Sequence, residues 1–145
     1  MDDASPGIDA LVNETALGKL IAEARQARAR AYAPYSNYRV GSAILTAKGA
    51  VYTGCNVENA SYGACICAER SAISQMVAAG DSKPVACAVI TGGKSPGTPC
   101  GICRQVLVEF TRDMPVVLVC ETDTGDVRRD TTLAELMPDV FEFDV

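Results

Sequence analysis

Between residues 85 and 120 the chain reads Val85-Ala86-Cys87-Ala88-Val89-Ile90, a loop from Thr91 to Pro99, Cys100-Gly101-Ile102-Cys103-Arg104-Gln105-Val106-Leu107-Val108-Glu109-Phe110, and Val116-Val117-Leu118-Val119-Cys120. The first and last runs are unbroken apolar segments of strand length, the pattern of strands covered on both faces. Between them Ile102, Val106, Leu107 and Phe110 recur at helical spacing, which predicts a helix from about Cys100 to Thr111 with those four side chains inward. A strand, a helix and a second strand favour parallel pairing of the two strands. The predicted helix opens on two cysteines.

Working outward, Ala68, Ala72, Ile73, Met76 and Val77 predict a helix that ends at Gly80, and Cys67 stands at its start. Upstream, Tyr38–Thr46 and Val51–Cys55 favour strands around the turn signal Lys48-Gly49, so a β-hairpin is expected. Leu17, Leu20, Ile21, Ala24 and Ala31 predict an earlier amphipathic helix stopped by Pro34. Downstream, Val127-Arg128-Arg129 reads as a short edge strand, and Thr132 with Glu135 has the spacing of a capping box. Helix, hairpin, helix, strand, helix and strand in that order imply a mixed sheet with helices on its faces, an α/β layered domain.

The chain has 145 residues, the size of one ordinary domain, and a formal net charge of -5, which disfavours partners recognised by phosphate neutralisation. A nucleic acid polymer is therefore not expected. The acidic start Met1-Asp2-Asp3 lacks the basic and apolar regions of a secretory signal, and no apolar run approaches the ~18 residues of a membrane helix. A cytoplasmic protein with no membrane partner is expected. Gly93-Lys94-Ser95 resembles the end of a phosphate-binding loop, but Ala88 occupies the position of the required first glycine.

Seven cysteines are many for a reducing compartment, and an odd number cannot all pair within one chain. The chain has no histidine, which excludes Ser-His-Asp and Cys-His catalysis and every metal site built on imidazole. Chemistry must run on Cys, Asp and Glu. Free N–H groups and the dipole at a helix start favour thiolate over thiol, so two such starts aimed at one spot would gather Cys67, Cys100 and Cys103. Three soft thiolates suit zinc and leave one coordination position for water, whose pKa such an ion lowers from 15.7 to about 7. Three thiolates around Zn²⁺ leave a net negative charge, so compensating donors are expected, with Arg70 first among Arg70, Arg104 and Gln105. Glu69, two residues past Cys67, is placed to accept a proton and return it.

Cys67-Ala68-Glu69 followed by Pro99-Cys100-Gly101-Ile102-Cys103 resembles the signature of the zinc-dependent cytidine deaminases, a three-cysteine site with a carboxylate that is not a ligand. The likeness extends to Tyr32-Ala33-Pro34-Tyr35-Ser36, to Gly54-Cys55-Asn56-Val57-Glu58-Asn59-Ala60 and to Arg104-Gln105-Val106. The resemblance implies a three-layer α/β/α fold with a mixed sheet of about five strands. It implies Zn²⁺ as cofactor and hydrolytic deamination of cytidine and deoxycytidine to uridine and deoxyuridine, with release of ammonia, as in pyrimidine salvage. In such an enzyme zinc-bound hydroxide attacks C4 while Glu69 shuttles protons. Carried over residue by residue, Asn56 and Glu58 would hold ribose hydroxyls and Tyr38 would line the pocket where the family usually has Phe. The backbone N–H of Ala68 would meet the pyrimidine carbonyl, and Phe141 would reach a neighbouring subunit's site in a homotetramer. Arg70 and Gln105 would support the ligands. Residues 1–12 are expected to be a flexible leader and 13–145 a single zinc deaminase domain.

Two other readings stay open at this stage. A deaminase of a cytosine-containing nucleoside antibiotic is similar around the metal, although the Asn56-Val57-Glu58 step speaks for a ribose. A non-catalytic module could close a zinc site with Cys65, Cys67, Cys100 and Cys103, leaving Glu69 without a task. Cys87 and Cys120 are expected to be small buried hydrophobes, and Cys55 and Cys65 structural.

Overall fold

The computed structural model describes residues 7–143. A five-stranded mixed sheet has β1 (Gly41–Thr46), β2 (Val51–Cys55), β3 (Pro84–Gly92), β4 (Pro115–Thr122) and β5 (Gly125–Thr132), in spatial order β2-β1-β3-β4-β5. The single parallel pair is β3 with β4, joined through a helix; the other neighbours are antiparallel. Helices α1 (Ile8–Leu11), α2 (Glu14–Ala29), α3 (Ala68–Ala78), α4 (Gly101–Val108) and α5 (Leu133–Leu136), with a 3-10 turn at Tyr62–Ala64, complete the described elements.

Strand periodicity sorts the core into two layers. Cys87 and Val89 of β3, with Val116 and Leu118 of β4, pack with Ile73 and Met76 of α3 and Leu107 of α4. The alternate residues Ala86, Ala88, Ile90, Val117 and Val119 pack with Leu17, Leu20 and Ala24 of α2. Both faces of the two central strands are thereby covered, as their unbroken apolar sequence predicts, and the fold is the expected three-layer α/β/α sandwich. Cys87 and Cys120 are fully buried in it, as expected of small hydrophobes.

Several local expectations are corrected. The segment Tyr38–Val40 is not strand, because the Asn56 side chain takes the place of a ladder partner: Oδ1 accepts from Val40 N–H at 2.8 Å and Nδ2 donates to the Tyr38 carbonyl at 2.8 Å. Ile102 is 63% and Val77 50% exposed, since each falls on the outer side of its helix and the inner stripe is already filled by its neighbours. The edge strand β5 is eight residues long where a short one was expected, held along its length by β4. Its polar side chains fooled the apolar pattern, but polar residues are what an edge strand carries. Within the expected leader, Ile8–Leu11 form one helical turn, tied to the next helix by Asn13 Nδ2 donating to Ala10 O at 3.1 Å. Residues 1–6 of that leader, and 144–145 of the expected domain, lie outside the described residues. The capping box of Thr132 and Glu135 is present and starts α5.

The topology brings several element ends to one edge of the sheet. Gly41 pairs with both Cys55 and Ile90, so the start of β1, the end of β2 and the end of β3 lie side by side. The chain leaves β2 toward α3 and leaves β3 toward α4, and both helices therefore begin above that edge. Gly54 makes this possible for α3: a Cβ there would stand 2.4 Å from both the Ala68 carbonyl and the Ala72 nitrogen. Those are backbone atoms and cannot step aside without moving the helix. Gly54→Ala is expected to cost about 1–3 kcal/mol in chemical denaturation, the usual price of overpacking. Gly18→Ala, in the middle of α2 with nothing within 4 Å of its added Cβ, is expected to stabilise by about 0.5–1 kcal/mol.

Candidate metal centre and active site

Cys67 and Cys100 are the N-cap residues of α3 and α4, both extended, and neither side chain is used for capping. Each thiol is thus free to point beyond its helix start, while Cys103, one turn into α4, is buried. The three Sγ atoms lie within 4.8 Å of one another, with 3.7 Å between Cys67 and Cys100. Ligands about 2.3 Å from a tetrahedral zinc would stand about 3.8 Å apart, which the Cys67–Cys100 separation already matches. Among the described residues these three cysteines form the cluster. Cys65 is turned away, its Sγ accepting from Asn59 N–H at 3.3 Å and facing the Asn59 carbonyl at 3.7 Å, so the four-cysteine closed site does not form.

Electrostatics give the same answer. The Cys67 thiol is held down to about 5 by a hydrogen bond from the Cys103 thiol and by the Arg70 guanidinium, which donates to Cys67 Sγ at 3.5 Å and to the Cys65 carbonyl at 3.3 Å. Cys103 is pushed up, because as the donor to Cys67 it must keep its proton, and burial and the nearby charges add to this. Three thiolates this close can coexist when a cation sits among them. The donor set is therefore matched to a thiophilic divalent ion, and Cys67, Cys100 and Cys103 are the residues that would hold zinc.

Beside the cysteines lies a cavity of about 190 Å³, lined by Tyr38, Val40, Asn56, Cys67, Ala68, Glu69, Val89, Thr91, Thr98 and Cys100. Glu69, in the first turn of α3, is 4% exposed. Burial pushes its carboxyl above the usual range, and the charge of Cys67 adds to that. A carboxyl so placed readily exchanges a proton with whatever occupies the cavity. Ala68 is the first residue of the helix, so its N–H has no partner within α3 and lies at the cavity wall.

The substrate-contact residues expected from sequence separate into groups. Tyr38, Asn56 and Ala68 join Glu69 around the cavity. Asn56, already bonded to two backbone groups, retains one amide hydrogen and one carbonyl lone pair for a ligand. Glu58 is not among the lining residues: its Oε1 accepts from the N–H groups of Tyr35 at 3.0 Å and Ser36 at 3.1 Å. The Ser36 hydroxyl and these N–H groups hold its carboxyl below the usual range. Glu58 thus fastens the 35–36 turn. Phe141 is 71% exposed, lies 6.5 Å from the Phe143 ring between centroids, and does not line this cavity. Gln105 lines a separate groove with Phe110 and Phe141. Arg104 turns to backbone carbonyls instead of sulfur. Val40, Val89, Thr91 and Thr98 were not expected at the site. Val89 read as core, and Thr98 could have been found from its place just before Pro99-Cys100.

Residues 15–120 match the family described as the cytidine and deoxycytidylate deaminase zinc-binding region. The chain is 45% identical over 124 residues to a cytidine deaminase of Sporosarcina psychrophila, covering 85% of this chain and 89% of that protein. A crystal structure of cytidine deaminase from Burkholderia pseudomallei is similar with a TM-score of 0.79 and 47% identity, over 86% of this chain and 98% of that one. The structure of the Mycobacterium leprae cytidine deaminase follows at TM-score 0.70 and 41% identity, over 85% of this chain and 98% of that one. With the family match spanning well over half of its length and including all three clustered cysteines and Glu69, this chain belongs to the cytidine and deoxycytidylate deaminase family.

Proposed function

We propose that this protein is a zinc-dependent cytidine deaminase that hydrolyses cytidine and deoxycytidine to uridine and deoxyuridine with release of ammonia. The observation that carries the reading is the buried Glu69 carboxyl facing a cavity whose wall includes Cys67 and Cys100 of the three-sulfur cluster. A zinc ion bound by those sulfurs supplies an acidified water and a Lewis-acidic open position. The rest is the work of side chains. Glu69 accepts a proton from the attacking water and delivers it to N3 of the pyrimidine. It then takes the second proton from the new C4 hydroxyl and passes it to the amine, so that the C4–N bond breaks, ammonia leaves and C4 becomes a carbonyl. One carboxyl serves as base and acid in turn. The free N–H of Ala68 is placed to hold the pyrimidine carbonyl, and Tyr38 and Val89 offer apolar walls to the ring. Asn56 orients a ribose hydroxyl with its remaining amide hydrogen, and Glu58 accepts from a second ribose hydroxyl. Arg70 offsets part of the negative charge of the sulfurs through its contact with Cys67.

The substrate is a free nucleoside. A net charge of -5 argues against a polynucleotide, and no helix among the described residues is long and apolar enough to cross a membrane. A homotetramer is the proposed assembly: Phe141 and Phe143 are exposed together on one surface, a placement that suits a contact with a second copy.

Glu69→Ala is expected to keep its zinc and lose at least about 10³-fold in kcat, followed by the ultraviolet absorbance change of cytidine; near-normal turnover would remove the assigned role. Chelation should abolish activity and added zinc restore it, with loss of the metal confirmed by elemental analysis. Sedimentation velocity is expected to show a particle of four chains, and a 15.2 kDa species at working concentration would rule that out. A cytosine-containing nucleoside antibiotic assayed beside cytidine decides between the two enzyme readings by the larger kcat/KM.

A further inference from the structure

We propose that Arg104 is a positioning residue that clamps the loop leading into Cys100 and fastens it to the C-terminal segment of the chain. Its guanidinium divides three ways: Nε donates to the Pro99 carbonyl at 2.8 Å, Nη2 to Thr98 Oγ1 at 3.0 Å, and Nη1 to the Leu136 carbonyl at 2.8 Å. Its own backbone N–H donates to the Cys100 carbonyl at 3.0 Å. Cys100 is thereby gripped from both sides, by a main-chain bond on its own carbonyl and by a side-chain bond on the carbonyl just before it.

The loop needs such a grip. Residues 93–99 lie outside helix and strand, and Pro96 and Pro99 have no N–H to offer. Among the described hydrogen bonds, the remaining anchor of this stretch is the Gly97 N–H to Thr91 Oγ1 at 3.2 Å. Without Arg104, the Thr98 hydroxyl and the Pro99 carbonyl would lose their side-chain donor, and the lead into Cys100 would be held by the packing of the buried Pro99 ring alone. The third arm ends on Leu136, the last residue of α5, where a cation suits the free carbonyls of a helix C-terminus. Five residues further on is Phe141, so one side chain joins the loop before Cys100 to the segment that carries Phe141. A lysine could satisfy one of these acceptors but not three diverging ones. Thr98 also lines the cavity, and because its oxygen accepts from Arg104 its hydroxyl proton is left for another acceptor.

The proposal rests on the reading of Cys100 as a zinc ligand, and the test separates the two. Zinc affinity is measured on the full chain by competition with a chromophoric chelator, and the unfolding temperature is taken for zinc-loaded and metal-stripped protein. Arg104→Ala and Arg104→Lys are expected to weaken zinc binding about 10–100-fold and to shrink the rise in unfolding temperature that zinc produces. Should Arg104→Ala fail to fold, Arg104→Lys and Thr98→Val, which removes one arm only, carry the comparison. Parent-like zinc affinity in Arg104→Lys, with both unfolding temperatures lowered equally, would overturn the proposal and leave Arg104 a general fold contact. Parent-like zinc affinity in Cys100→Ser would instead overturn the ligand reading beneath it.

Discussion

Three sulfur atoms within 4.8 Å of one another set the terms for the rest of this molecule. Thiolates so close repel, and a proton kept on Cys103 relieves that repulsion only in part. A divalent ion removes all but one negative charge, and the Arg70 guanidinium at Cys67 offsets part of what is left. Everything around the cluster answers to that demand: two helices begin there, a guanidinium reaches Cys67, and a carboxyl is kept close by but shielded from water.

The sheet makes the convergence possible. Because Gly41 pairs with Cys55 on one side and Ile90 on the other, the chain leaves β2 and β3 at the same level. Ligands in open α/β sheets commonly bind outside such strand ends. The core enforces the arrangement from below, since α3 is packed through Ala72, Ile73 and Met76 and α4 through Leu107 and Val108. Close packing of this kind leaves the helices little freedom to slide, so the N-cap cysteines stay in register with each other. Gly54 is the point at which β2 and α3 touch backbone to backbone.

Stability and chemistry are thus arranged in opposite senses across a short distance. Beyond their first turns the sheet-facing sides of α3 and α4 are apolar and packed, whereas the first turns carry a buried acid, free N–H groups and unspent thiols. Glu69 illustrates the trade: burial penalises its charged form, and the same burial raises its carboxyl above the usual range, so that it holds a proton more readily than an exposed acid. Several loops are held by single polar side chains rather than by ladders. Asn56 stitches the 38–40 segment, Glu58 the 35–36 turn and Arg104 the 98–99 segment.

Much of this was legible in the residues themselves. The unbroken apolar runs at 85–90 and 116–120 could only be central strands, and the cysteine spacing at 100 and 103, with a carboxylate two residues past Cys67 and no histidine anywhere, pointed to an open three-thiolate site. Those features are local, and periodicity and ligand chemistry read them directly. What tertiary structure alone decided is non-local. That Cys65 turns aside while Cys67 joins residues 33 positions and more away depends on where two helices start relative to one sheet edge. That Tyr38–Val40 is held by the Asn56 amide instead of a strand, that Val77 and Ile102 face outward, and that Arg104 serves carbonyls rather than sulfur follow from neighbours distant in sequence. A side chain's spacing along the chain states which face of its own element it occupies, and only packing determines what stands opposite.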